Sequence, residues 1–207
     1  MNKDSVELKT GTTIVCIKSK TQLILASDKQ ISTSFRKAGS TSKIYILENF
    51  LFAGSGAVSH IQMFFSILEL AFYYLKQEEI DTQETDTFEM SVLTFLKNEL
   101  IQMGGAYASF FICWKKKDIL RAFHLDGDGS LLEVDLFDSI GSGSIYSLGF
   151  FSSYSKEKIL NLKDKGLIAF AKQGLSSAHS LDLYTGVEKE YVLLDKEGFS
   201  KIQLEAF

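Results

Sequence analysis

The chain has 207 residues, 45% hydrophobic and 23% charged, a balance that excludes a disordered chain and suits one large folded domain. Its formal charge of -4 supplies no basic surface for nucleic acid. The most apolar long stretch, Ile61–Leu75, is interrupted by Gln62 and Glu69 and falls short of the about 20 residues that span a bilayer, and no cationic and apolar leader of the secretory kind opens the chain. A cytoplasmic protein with neither membrane nor nucleic-acid partners is expected. Cys16 and Cys113 lie inside apolar runs, where thiols pack as small hydrophobes.

In chain order, Thr13–Lys18 and Gln22–Asp28 are apolar and β-branched and predict a hairpin about Ser19-Lys20-Thr21. Ser32–Ser42, rich in Ser, Thr, Arg and Lys, predicts an exposed loop. A second hairpin, Lys43–Glu48 with Phe50–Ser55, turns at Asn49. In Gly56–Gln77, Val58, Ile61, Phe65, Leu68, Phe72 and Leu75 recur at spacings of three and four, and Phe64, Ile67 and Ala71 widen the stripe; a helix buried on most sides is expected. Asp86 with Glu89 reads as a capping box opening a helix to about Met103. Strands resume at Tyr107–Trp114, Ile119–Leu125 and Leu131–Asp135. A helix over Lys156–Ser177 follows Ser155 as N-cap, and Glu190–Leu194 and Phe199–Leu204 close the chain as strands. Hairpin-joined strands with grouped helices predict an α+β fold, antiparallel sheets covered by helix layers, in a single domain.

Several motifs reduce to structure. "DGDGS" (126–130) begins like a calcium loop, but the sixth and twelfth positions hold Leu131 and Phe137 instead of Gly and Glu, so a hairpin turn is expected. "GSG" at 54–56 and 141–143 lacks the third glycine and the βαβ setting of a dinucleotide site. His60, His124 and His179 have no metal-ligand spacing, so no metal and no cofactor is expected. The start is more informative. Gly11-Thr12-Thr13 runs into the first strand and allows two readings: a ragged terminus entering a sheet, or a leader, residues 1–11, whose removal makes Thr12 the N-terminus. A terminal threonine carries its own base, because an α-amine titrates at about 7.7–8.0. Such a site also needs a cation near the amine, a carboxylate to orient the cation, and N–H donors for an oxyanion; Lys43, Asp28 and Gly54 are of suitable type.

"TGTTIVCIKSKTQLILASDKQIS", "SKIYI", "FAGSGAVS", "SIGSGSIYSLGF" and "SLDLYTG" occur in the order in which proteasome β subunits, especially the archaeal type, carry similar motifs, and the resemblance runs from Thr10 to about Leu204. It implies the four-layer αββα sandwich of N-terminal nucleophile hydrolases, with residues 1–11 as a propeptide and 12–207 as the domain. It implies a threonine endopeptidase: autocatalytic cleavage between Gly11 and Thr12, attack by the Thr12 hydroxyl, Lys43 lowering the amine's proton affinity while Asp28 holds it, and the Gly54 N–H facing the oxyanion. Ser142, Asp182 and Thr185 would support the terminal threonine. Ile31, Thr41, Phe52 and Gly56 would border the substrate pocket, Phe52 favouring apolar residues. Implied partners are other β subunits in a seven-membered ring, α-subunit rings, a regulatory ATPase and unfolded polypeptide. A non-catalytic ring subunit is the alternative. The sequence departs from the family's pattern at Gln30 and Leu181, where arginines are usual, at the single glycine Gly186, and in the short Lys43–Gly54 segment.

Overall fold

Apolar side chains on both faces of the central strands organise the computed structural model, which describes residues 11–33, 36–77 and 87–202. The elements are β1 (Thr13–Lys18), β2 (Leu23–Asp28), β3 (Gln30–Thr33), β4 (Arg36–Ser40), β5 (Ile44–Leu47), β6 (Phe50–Gly56), α1 (Val58–Gln77), α2 (Thr87–Gln102), β7 (Ala108–Lys116), β8 (Ile119–Asp126), β9 (Leu131–Glu133), β10 (Phe137–Gly141), α3 (Ser144–Ser152), α4 (Lys156–Leu160), α5 (Asp164–Leu181), β11 (Lys189–Asp195) and β12 (Gly198–Ile202). One antiparallel sheet runs β10-β1-β2-β11-β12 and the other β5-β6-β7-β8-β9, while β3 and β4 form a separate ribbon.

The period of two along each strand divides the core into three layers. In β1, Ile14 and Cys16 pack between the sheets, whereas Val15 and Ile17 meet α3 and α5. In β6, Leu51 and Ala53 point between the sheets and Phe50 and Phe52 point to α1 and α2. Burial on both faces explains the continuous apolar runs in these strands. The result is an α+β sandwich with the layer order αββα. Its α1–α2 side is aromatic: Phe50 packs with Phe52, Phe72 and Trp114 at ring-centroid distances of 5.5, 5.1 and 5.6 Å. Cys16 and Cys113 are unpaired thiols buried between the sheets, and burial pushes the Cys113 thiol's pKa well up.

The structure differs from expectation in four places. Ser32–Ser42 is not simply a loop, since β3 and β4 pair from Gln30↔Ser40 to Thr33↔Arg36 through a bulge after Ile31. Backbone pairing makes this ribbon, so an apolar pattern was not there to announce it. The helix expected over 156–177 breaks into α4 and α5. The β1–β2 turn intrudes at the break: Lys20 N–H donates to the Leu160 carbonyl, and the Gln22 amide brackets Asp164, donating to its carboxylate and accepting from its N–H. Ser155 does cap α4, accepting from Lys158 N–H at 3.3 Å. Finally, β10 occupies a stretch without a predicted strand, and Val58, expected in the core-facing stripe of α1, is exposed. Asp86, the side chain of Leu75 and Leu204 lie outside what is described. Glu89 turns inward to Asn49 and Lys116 at 3.2 and 3.0 Å. "DGDGS" is the β8–β9 turn, closed by Asp126 N–H on the Ser130 carbonyl and by Gly129 at φ +86°.

Candidate active site

The end of β2 places a carboxylate among four donors. Asp28 is fully buried; its Oδ1 accepts from Thr13 N–H at 2.7 Å and from the Lys43 ammonium at 3.0 Å. Its Oδ2 accepts from the N–H groups of Gln30 and Gly186 at 2.9 and 3.0 Å. Asp28 therefore ties the start of β1, the head of β5 and the 182–186 turn to one point. Lys43 stands just before β5 and is 7% exposed. Burial pushes its pKa below the ordinary lysine value, against the charge and hydrogen bond of Asp28 and the charge of Glu190, which pull it up.

A second network holds the first two threonines. The Ser142 hydroxyl donates to Asp182 Oδ2 at 2.6 Å, which leaves its oxygen to accept from Thr12 N–H at 3.4 Å. Thr185 Oγ1 also donates to Asp182 Oδ2, at 2.7 Å. Its single proton being used there, the Thr13 hydroxyl must be the donor in the 2.6 Å contact with Thr185. The Thr12 hydroxyl donates to the Gly11 carbonyl at 2.7 Å, so this oxygen lies beside the peptide unit that precedes it. Two glycines permit the close packing. At Gly141, φ is +98° and a Cβ would stand 2.0 Å from the Thr12 carbonyl oxygen. At Gly11 a Cβ would stand 1.7 Å from the Tyr184 Cβ.

These groups open on a cleft of about 190 Å³. Gly11, Thr12, Lys43 and Gly54 line one part of it, and Ile31, Thr41 and Gly56 line it further on. Its apolar wall comes from Tyr45, Val58, Ile61 and Phe65, with the Tyr45 and Phe65 rings 4.1 Å apart. Phe52, expected at the pocket, is not part of this lining. It has no exposed surface and stacks on Phe50 under the helices, and its cross-strand partner Tyr45 faces the cleft instead. Ser142, Asp182 and Thr185 stand behind Thr12 and Thr13 rather than in the cleft lining. Gln30, where an arginine was the usual residue, bonds Ser32 Oγ at 2.9 Å and the Tyr184 carbonyl at 3.3 Å and so ties the 182–186 turn to β3. Leu181 is exposed. Sequence reasoning missed Glu190 and Tyr45; the only local signal for Glu190 was a charged pair, Lys189-Glu190, opening an apolar strand.

The histidines have other work. His60 Nδ1 accepts from Tyr107 N–H, and His179 Nδ1 donates to the Thr185 carbonyl. His124 on β8 bridges the sheets to Asp138 on β10 at 2.7 Å, with Asp126 at 3.2 Å on its other nitrogen. Burial pushes the His124 pKa down, but the hydrogen bond and charge of Asp138, helped by Asp126, more than offset this and raise it. A raised folded-state pKa stabilises fully below the unfolded value of about 6.5 and loses that effect as pH rises through the folded value. Asp138→Asn should therefore cost more melting temperature at pH 6 than at pH 8. Equal losses at the two pH values would contradict this assignment. Among the described residues no group of three or more His, Cys, Asp and Glu could hold a metal ion, and no helix is long and apolar enough to cross a membrane.

Two antiparallel sheets between helix layers, with a threonine at the head of a central strand beside a buried Lys–Asp pair, place the chain in the N-terminal nucleophile hydrolase class. The family model described as "Proteasome subunit" matches residues 8–193. The chain is 29% identical over 202 residues to "Proteasome subunit beta" of Nanoarchaeum equitans, covering 94% of this chain and 98% of the relative. It is 29% identical over 198 residues to "Proteasome subunit beta 1" of Pyrococcus horikoshii, covering 93% and 96%. With "Proteasome subunit beta 2" of Sulfurisphaera tokodaii it shares 26% over 189 residues, covering 86% and 84%. The chain belongs to the proteasome subunit family, as a β-type member.

Proposed function

We propose that this chain is a catalytic β subunit, a threonine endopeptidase whose nucleophile is Thr12 after autocatalytic removal of residues 1–11. The observation that carries the reading is the buried Lys43–Asp28 pair, whose lysine lines the same cleft as Thr12 and Gly11. In the uncut chain the Thr12 hydroxyl attacks the Gly11 carbonyl carbon; an ester replaces the peptide bond, and water then releases the leader. The freed amine, beside Ser142, takes the hydroxyl proton when Thr12 attacks a substrate carbonyl. The Lys43 ammonium, held by Asp28, favours the neutral amine by like charge. The Gly54 N–H faces the oxyanion, and a water molecule finally hydrolyses the acyl ester. Tyr45, Val58, Ile61 and Phe65 make the cleft suited to an apolar side chain before the cut. The working form is a seven-membered ring of β subunits between α rings in the cytoplasm, fed with unfolded polypeptide by an ATPase.

An intact-mass measurement on the assembled particle tests this. The chain is expected to begin at Thr12. A retained leader in a fully assembled particle would favour the non-catalytic ring subunit.

A further inference from the structure

A carboxylate outside the groups assigned above gathers the segment that carries Lys43. Glu190 lies on β11, opposite Ser27 of β2 and one residue from the strand position that pairs with Asp28. Its Oε1 accepts from the Ser27 hydroxyl at 2.8 Å and from Lys43 N–H at 2.5 Å. Its Oε2 accepts from the Ser42 hydroxyl at 2.6 Å. One side chain thus joins β11, the residue preceding Asp28, and the backbone of Lys43 itself. Asp28 grips the far end of the lysine side chain, and nothing in that contact fixes where its Cα stands.

We infer that Glu190 is a positioning residue: by clamping Ser42 and the Lys43 N–H against Ser27, it sets the point from which the Lys43 ammonium reaches Asp28 and Thr12. The inference rests on the catalytic reading above. Its physical basis is that a long side chain delivers charge to a fixed place only when both its base and its tip are held. Charge-assisted bonds to a half-buried carboxylate are the stronger kind for such a clamp. A displacement of about 1 Å at a reacting centre is enough to cost about a hundredfold in rate.

The test compares Glu190→Ala and Glu190→Gln in the assembled particle, using a fluorogenic peptide with an apolar residue before the cut. In Glu190→Gln the amide oxygen still accepts from Ser27 and Lys43, and the amide nitrogen donates to the Ser42 oxygen, so the clamp survives without its charge. Glu190→Ala is expected to lower kcat about tenfold to a hundredfold with KM within about twofold, and Glu190→Gln to recover most of the loss. A kcat within about twofold of the parent in Glu190→Ala would overturn the inference, as would an equal loss in both variants. Should Glu190→Ala not assemble, the double variant Ser27→Ala/Ser42→Ala removes two of the three donors and leaves the carboxylate. The same kcat loss is then expected, and a parent-like kcat overturns the idea. A parent particle that itself hydrolyses nothing and keeps its leader would instead defeat the catalytic reading, a result distinct from either.

Discussion

Thr12→Ala is expected to leave a folded, assembled subunit that keeps its first eleven residues and hydrolyses peptide about 10⁴-fold more slowly, or not measurably. The reason lies in what the hydroxyl touches. Among the described residues it bonds the Gly11 carbonyl, so removing it strands no distant buried partner. The neighbouring Thr13 keeps its bonds to Asp28 and Thr185, and these anchor the strand. Stability should therefore change by less than about 1 kcal/mol. A large activity loss without a stability loss is the signature of a nucleophile. Peptide hydrolysis at the parent rate in Thr12→Ala would remove Thr12 from the mechanism.

Lys43→Ala should behave differently, losing both activity and stability. Asp28 is fully buried, and without the ammonium its Oδ1 retains only the Thr13 N–H. Breaking a buried pair by removing one partner costs about 3 kcal/mol or more. Activity at pH 7 should fall about tenfold from protonation alone, because a terminal amine with no cation beside it titrates at about 7.7–8.0 and is then about nine-tenths protonated. The two effects separate by pH. If the amine is the base, raising the pH from 7 to 9 should restore part of the variant's rate, whereas the stability deficit should stay. Turnover equal to the parent at pH 7 would exclude Lys43 from the chemistry.

The parts of this site that sequence exposed are those written locally. Asp28 ends an apolar strand, Lys43 stands just before another, and Gly54 lies near the end of a third, so their places near strand ends follow from hydrophobic patterning. Antiparallel sheets covered by helix layers were legible in the hairpin-joined strands and grouped helices, and the family resemblance implied the αββα order. What was hidden depends on pairing across long sequence distances. Glu190 acquires its neighbours only because β11 lies against β2 in a register that sets it opposite Ser27. Phe52 leaves its expected place at the pocket for a related reason: it is the cross-strand partner of Tyr45, and nothing local says which ring turns to the cleft. The α4–α5 break is invisible in a helical period because its cause, the Gln22 amide, is 142 residues away from Asp164.

The contacts around Gly141, Asp28, Ser142 and Thr185 all grip atoms at or after the Thr12 nitrogen. Nothing in that set depends on residue 11. A newly made chain end would thus be moored before it exists, with its orientation fixed by the same bonds that held the intact peptide. Maturation would then require no rearrangement, and the ordering cost would have been met when the sandwich folded.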